Sequence, residues 1–477
     1  MLMNGFEHSL LVKDPEIIEG YLKDASNIKG YCEGVFRPNT TDDVVEIVRV
    51  CNTHQWPLTI SAQRTSTTGG PVPFGGVLMS MEGLNQIHST TEVDAGVLLG
   101  QYQAFVEGKG FCFPPDPTSK NECSIGGAIA CNASGARSFR YGPIRHWVEG
   151  LELVTPTGEI LQIDRQSKIP QNWMGWNSDI WTPPLVKTAA GYQPCDNILD
   201  LMIGQEGTLG IITKAWLRNI PKPEVTAMLI FFSTLEDCLA TAEELKKGAQ
   251  RPFRSAEKNA VNPCAIEFFD QFSIRFMRNA VADISEKAEC GLFLELDLSN
   301  SDMEHCIQIL EKYDALLDCS ILAEDPISKA KLHQARHAIP AGVNEIVSAN
   351  GMPKVGTDFA VPDEYLVDMM EYYMEVPLDY VLFGHLGDNH LHLNMLPKND
   401  DELALAKRLY RQLALKAVSF GGTVSAEHGI GKIKKDLLRD MVGQQTIEQF
   451  CHLKKVLDPN WVLGRETLFS PFLMDSL

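Results

Sequence analysis

The 477-residue chain is poor in the features that would place it in several large classes of protein. No stretch approaches the roughly 20 consecutive apolar residues that cross a bilayer, so no membrane-spanning helix is expected. Basic residues are scarce: 42 Lys and Arg stand against 62 Asp and Glu, a formal net charge of −20. Such a field repels nucleic acid and anionic lipid, and an anionic substrate would need a locally positive site inside this acidic chain. The 12 cysteines never form a C-x-x-C pair, which argues against a zinc ribbon or a ferredoxin-type cluster and points to dispersed, reduced thiols. The G-x-G-x-x-G fingerprint is missing, so NAD on a doubly wound sheet is not suggested. The opening MLMNGFEHSLLVKD lacks the basic flank, apolar run and small-residue cleavage site of a secretory signal. A cytoplasmic chain is expected, with peripheral contact at the inner membrane left open.

What is present is globular and too long for one core, since single cores stop growing near roughly 250–300 residues. The texture changes once, around Pro221-Lys222-Pro223, and Ile220 to Val225 reads as a linker because proline there opposes helix continuation and strand pairing. Before it, Thr40 or Thr41 caps a helix reaching His54, a strand follows over Pro57–Ile60, and Leu151 to Ile163 reads as two strands about a Pro-Thr-Gly turn. After it, Thr234 to Lys247, Asp302 to Leu317 and Asp401 to Phe420 read as helices. With strands such as Gly291–Leu298 they suggest an α+β unit, with helices on one face of an antiparallel sheet.

Three segments of the first half hold more Gly, Ser and Thr than turns require. Ser61 to Gly70, directly after a strand, offers Ala62, Arg64, Thr65, Ser66, Thr67, Thr68 and Gly69, whose hydroxyls and unhindered amides suit a phosphate. Pro114 to Gly135 adds a Pro-fixed loop with Pro117 and Ser119, then Gly126, Gly127, Asn132 and Gly135. Ile203 to Thr213 contributes Glu206, Gly207, Gly210 and Ile211. In this order, together with Tyr141-Gly142 and Lys187-Thr-Ala-Ala-Gly191-Tyr192, the segments resemble the PCMH-type FAD-binding domain of the vanillyl-alcohol oxidase and MurB-type flavoenzymes. The resemblance implies FAD bound by the residues just named, Tyr141 included. The first loop departs from the usual R-G-G-G-T-S, with Arg64 placed to lend positive charge to the diphosphate. It holds no histidine, so a non-covalent cofactor is expected.

The most specific signal is Phe383-Gly-His385-Leu-Gly-Asp388-Asn389-His390-Leu-His392-Leu-Asn394. A two-residue turn at Asp388-Asn389 would set His385 opposite His392, with Cβ atoms roughly 4.5–5.5 Å apart, close enough to chelate one cation. His390, His392 and Asn394 alternate onto one strand face and leave Leu391 and Leu393 for the core; the role of His390 is open. Downstream, Ser425-Ala-Glu427-His428-Gly429 places a carboxylate and an imidazole on a glycine-flanked loop. Two histidines and a glutamate with open positions make a catalytic set for a divalent metal such as Zn, Mn or Fe.

These two motifs look like the signature of the FAD-linked oxidase C-terminal domain, found in D-lactate dehydrogenases, glycolate oxidase large subunits and D-2-hydroxyglutarate dehydrogenases. The resemblance implies a ferredoxin-like antiparallel-sheet cap at 224–430 after an FAD-binding domain at 1–223, and a segment at 431–477 that packs back on the FAD domain. It makes His385, His392 and Glu427 the metal ligands, His428 the general base and Arg336 the partner of the substrate carboxylate. Asn394 would orient the substrate or a ligand. Asn389-His390 replaces the family's Gly-Asn. Gly356 stands where many relatives have a lysine two residues before Asp358, which favours a monocarboxylate unless Lys354 reaches in. The implied activity is oxidation of a small D-2-hydroxy acid, D-lactate favoured over glycolate or D-2-hydroxyglutarate. Electrons would pass to a quinone, cytochrome, electron-transfer flavoprotein or iron–sulfur protein, and a homodimer is compatible with this. Two alternatives stay open: a non-catalytic FAD-binding subunit of an electron-transfer complex, and a transferase like alkyl-glycerone-phosphate synthase.

Overall fold

The computed structural model describes residues 6–470 apart from 174, 282, 283 and 324, so the start of the N-terminal stretch and the end of the 431–477 segment lie outside the described residues. The helix Thr41–His54 begins at a capping box, in which the Thr40 hydroxyl accepts from the Asp43 amide and the Asp43 carboxylate accepts in return. Its apolar stripe of Val44, Ile47, Val48 and Cys51 is buried in a core shared with the parallel strands Leu58–Ser61 and Val77–Ser80. A second sheet runs Glu92–Asp94, Ile211–Leu217, Val148–Val154, Ile160–Asp164, all antiparallel. Gly158, at φ +82°, closes the Pro-Thr-Gly turn between the last two in sequence.

The linker region is more ordered than its prolines suggest. Ile220 and Pro221 pair with Cys112 and Phe111, because a two-residue edge ladder tolerates a missing amide donor. Beyond it lies one antiparallel sheet in the order Ile321–Leu322, Val225–Phe232, Cys290–Asp297, Pro263–Phe269, Tyr380–His385, His390–Met395, Val355–Gly356, with Phe359–Ala360 also on His390–Met395.

Helices cover both faces of this sheet, a correction to the one-face expectation. Leu235–Lys246 and Met303–Lys312 share a core with Ile230, Phe232, Ile266, Phe268, Leu292 and Leu294. Gln271–Ala280 and Pro326–Asn350 share another with Leu229, Phe231, Phe269 and Phe293. The strands are apolar on both sides, so each side needs a cover. The 25-residue helix Pro326–Asn350 was not legible, since Pro340 interrupts its pattern; the Asp325 capping box and left-handed Gly351 bracket it. Among the described residues no helix is long and apolar enough to cross a membrane.

After the helices Lys435–Val442 and Gln444–Leu457, the chain returns to the first half. The Leu58 amide donates to the Val462 carbonyl and the Gly464 amide to that of Leu58. Lys454, 1% exposed, donates to the carbonyls of Thr208 and Leu463 and pairs with fully buried Asp458. Lys454→Met leaves that carboxylate without its cation and should cost roughly 3–5 kcal/mol, read as a lowered urea midpoint with an unchanged slope.

Candidate functional site

The strands Tyr380–His385 and His390–Met395 form the expected hairpin with a longer turn. Leu386–Asp388 makes a 3₁₀ turn and Asn389 takes the left-handed conformation at φ 53°. The register therefore pairs His385 with His390 and Phe383 with His392, which corrects the two-residue turn and the direct His385–His392 pairing. The two still meet, as diagonal neighbours on one face with ring centroids 5.6 Å apart. The same register brings in His390, 5.5 Å from the His385 ring and 4.4 Å from that of His392. Leu391 and Leu393 are buried on the opposite face.

Glu427 completes the cluster from its glycine-flanked loop. One ligand atom from each of His385, His390, His392 and Glu427 fits within a sphere of mutual distances of 4.8 Å. Glu427 Oε2 lies 3.6 Å from His385 Nε2, and Oε1 lies 3.4 Å from His392 Nε2 and 3.6 Å from His428 Nε2. The Lys187 ammonium reaches Glu427 Oε2 at 2.8 Å. Burial opposes the charge of Glu427, yet Lys187 and His385 outweigh it and hold the carboxyl well below its usual range. Burial and Lys187 likewise oppose a charged His385, but Glu427 and Glu267 raise its pKa to about 9. His385 Nδ1 and both ring nitrogens of His390 are buried without an aligned hydrogen bond, a state that costs free energy and suits a cation site.

Asp358 ties the two motifs together. Its carboxylate, 1% exposed, accepts from the amides of Glu427 and His428, the Ser425 hydroxyl and the Lys434 ammonium, and faces His390 Nε2 at 3.0 Å. His428 Nδ1 is 3.5 Å from Asp358 Oδ2. Burial lowers the His428 pKa against the pull of Asp358 and Glu427, which favours a neutral ring.

Arg336 enters from the long helix, lies over the Phe293 ring at 4.0 Å and pairs with Glu267 Oε2. Glu267 Oε1 faces His385 Nδ1 at 3.5 Å, so one carboxylate links the two. Although burial opposes its charge, Arg336 and His385 bring the Glu267 pKa down to about 2. Asn394 is buried on the histidine face, and Lys354 does reach in, donating to Asn394 Oδ1 at 2.8 Å. Glu267 is a site residue that the sequence motifs do not include, and a lone carboxylate within the apolar strand Pro263–Phe269 is the signal that marks it.

The three glycine-rich segments converge beside this cluster. The Glu206 amide donates to the Ala130 carbonyl, a Cβ on Gly135 would lie 2.0 Å from the Asp116 carbonyl oxygen, and Gly207 packs on Ile60. Gly126 leaves no room for a side chain against Ala95, and the Gly127 amide is held by Ser124. In the second segment Pro117 and Ser119 shape the loop with their carbonyls. Asn132 Oδ1 and Ser134 Oγ are buried there without partners, as groups awaiting a polar cofactor would be. The Ser66 hydroxyl bonds that of Thr68, on the stretch that carries Ala62, Thr65, Thr67 and Gly69.

Several named residues have other partners. Arg64 is turned to Glu82 and the Ala62 carbonyl and lies over Tyr21. The Glu206 carboxylate accepts the amides of Ile430 and Gly431, latching its loop to the Glu-His loop. The Thr68 carbonyl does the same with Lys432 and Ile433. Tyr141 points its hydroxyl at Cys264 of the second half, Gly210 accepts from Gln205, and Ile211 starts a core strand.

A family pattern described as "FAD binding domain" matches residues 32–164, and one described as "FAD linked oxidases, C-terminal domain" matches 221–467, more than half of the chain. The chain belongs to the FAD-linked oxidase family. Its α+β architecture, a PCMH-type FAD-binding half joined to an antiparallel-sheet cap, is that of the family, and its class of activity is FAD-dependent oxidoreduction. It is 29% identical to a D-lactate dehydrogenase of Anaerostipes hadrus, over 95% of this chain and 93% of that one. It is 28% identical to glycolate oxidase subunit GlcD of Bacillus subtilis, over 92% and 89%. A D-2-hydroxyglutarate dehydrogenase of Stutzerimonas stutzeri shares 26% identity over 97% of both. A solved alkyldihydroxyacetonephosphate synthase superposes with a TM-score of 0.68 at 17% identity, covering 97% of this chain and 83% of that one, a likeness of fold.

Burial raises the Glu206 carboxyl to about 7 from 4.5, despite the Ile430 and Gly431 amides that favour its charged form. The folded protein thus keeps a proton that the unfolded chain releases, so this group's stabilisation is full below pH 4.5 and is lost as pH rises through about 7. Urea midpoints of wild type and Glu206→Gln across this window should show the wild type losing stability relative to the variant with rising pH. Parallel curves would remove Glu206 as the source.

Proposed function

We propose that this member of the family oxidises a D-2-hydroxy acid to the 2-oxo acid, with D-lactate favoured and with glycolate and D-2-hydroxyglutarate as the other candidates. The observation that supports this most is the meeting of His385, His390, His392, Glu427 and His428 with Arg336 where the glycine-rich loops adjoin the cap sheet. When bound, FAD supplies a two-electron acceptor and a divalent ion such as Zn, Mn or Fe supplies a Lewis acid beside the substrate hydroxyl.

The rest is the work of the chain's own residues. Arg336 keeps guanidinium donors beyond those given to Glu267, and these hold the substrate carboxylate and fix the face that C2 presents. His428 receives the hydroxyl proton at Nε2, because Nδ1 is directed at Asp358 and the lowered pKa leaves the ring neutral. The alcohol loses two hydrogens: the hydroxyl proton goes to His428, and the C2 hydrogen would leave with its electron pair as a hydride to the flavin when FAD is bound. Asn394 positions the substrate or a ligand.

A second reading of substrate length rests on Lys354. Its ammonium beside Asn394 is a basic group suited to a second carboxylate, and this favours D-2-hydroxyglutarate over a monoacid. With no cluster motif of its own, the chain would pass electrons to a quinone, cytochrome, electron-transfer flavoprotein or iron–sulfur protein from a cytoplasmic position, in contact with the inner membrane if the acceptor lies there.

Anaerobic addition of D-lactate, L-lactate, glycolate and D-2-hydroxyglutarate to the flavoprotein tests the proposal: a D-acid should bleach the flavin, and a chelator should suppress the bleaching. Bleaching by none, with flavin bound, would favour a transferase or a non-catalytic subunit. His428→Ala should retain flavin and slow its reduction by about 10²–10⁴-fold. Lys354→Met should raise KM for D-2-hydroxyglutarate on the order of tenfold more than for D-lactate if the diacid is the substrate, and should affect both alike if it is not.

A further inference from the structure

The turn that displaced the expected register placed a third imidazole in the cluster, and its surroundings are those of a ligand. His390 is 0% exposed, so it has no access to solvent water to satisfy its ring. Its Nε2 faces Asp358 Oδ1 at 3.0 Å and its Nδ1 faces Glu427 Oε2 at 3.9 Å. With the proton on Nε2, directed at the carboxylate, Nδ1 presents a lone pair to a second carboxylate. Two acceptors in that position repel, a cost that the Lys187 ammonium 2.8 Å from Glu427 Oε2 offsets in part and a cation between them would remove.

His385 and His392 repeat the arrangement. His385 turns Nδ1 to Glu267 at 3.5 Å and Nε2 to Glu427 at 3.6 Å. His392 turns Nδ1 to the Thr357 carbonyl at 3.0 Å and Nε2 to Glu427 at 3.4 Å. Each ring thus has an oxygen beside its outer nitrogen, hydrogen-bonded in the case of His392, and its other nitrogen toward Glu427, the arrangement in which outer partners favour one tautomer of metal-bound histidines. Bonds of about 2.0–2.2 Å to zinc put neighbouring donors of a tetrahedron roughly 3.3–3.6 Å apart. His385 Nε2 and His390 Nδ1 lie 3.6 and 3.9 Å from Glu427 Oε2, near that edge, and His392 Nε2 lies 3.4 Å from the other oxygen, Oε1.

We infer that His390 is a fourth protein ligand, so that this chain holds its cation with three imidazoles and one carboxylate instead of the His385, His392 and Glu427 set alone. The inference rests on the reading of the cluster as a metal site. Replacing the family's amide side chain by imidazole adds a nitrogen donor, and nitrogen-rich sets favour zinc over manganese more strongly than sets richer in oxygen.

The test uses the full-length flavoprotein, stripped of metal with chelator and reloaded with Zn²⁺ or Mn²⁺. X-ray absorption at the zinc edge should count three imidazoles in the wild type and two in His390→Asn. Competition titration should show Zn²⁺ affinity falling by about 100-fold or more in the variant, with a smaller fall for Mn²⁺. Two imidazoles in the wild type would overturn the assignment even if the variant fails to fold, and so would a failure of the wild type to bind either metal. Three imidazoles without flavin bleaching by any D-acid would leave the ligand set standing and defeat the proposed reaction instead.

Discussion

The buried carboxylate of Asp358 is the interaction on which the site depends. It lies between two short strands of the cap sheet, Val355–Gly356 and Phe359–Ala360, yet it receives the amides of Glu427 and His428, the Ser425 hydroxyl and the Lys434 ammonium from a segment some 70 residues downstream. A carboxylate in such a place is costly unless each lone pair is occupied. Here the partners outweigh burial and hold its pKa well below the usual range. The ion can stay charged only if the Glu-His loop is folded around it, and the loop can place Glu427 and His428 only if the ion is there.

The same logic of buried charge met by a partner from elsewhere joins the two halves. Arg137 forks onto Glu295, Arg140 pairs with Asp297, Ser138 bonds Asp388, and Lys187 crosses to Glu427. Glu206 and Thr68 close the set from the glycine-rich side. The cluster is thus at the seam, where the half with the glycine-rich loops meets the half that supplies the imidazoles. The net charge of −20 does not describe this region. Arg336, Lys187, Lys354 and Lys434 converge on it, three of them beside the carboxylates of Glu267, Glu427 and Asp358, so basic side chains are concentrated here inside an acidic molecule.

Much of the fold could be read because its signals are local. The cap of the helix Thr41–His54, the Pro-Thr-Gly turn and the alternation that buries Leu391 and Leu393 depend on neighbours a few residues away. The cover on the second face of the cap sheet was hidden, because Pro340 masks the periodicity of its longest helix. The hairpin register departs from the local expectation for a related reason: Asp388-Asn389 satisfies a two-residue turn, but Leu386 packs into the core and extends the turn to four residues. That shift put His390 in the cluster.

By itself the sequence determined the residue types of the site and the faces they occupy, since alternation along a strand and glycine-flanked loops are properties of short segments. Tertiary structure alone decided which charges meet. Glu267 joins Arg336 to His385, Asp358 joins His390 to the Glu-His loop, Lys187 reaches Glu427 from the other half, and Arg64 goes to Glu82. The reason is physical: a buried ion is tolerated only with a partner, and that partner is chosen by proximity in the fold, which spacing along the chain does not encode.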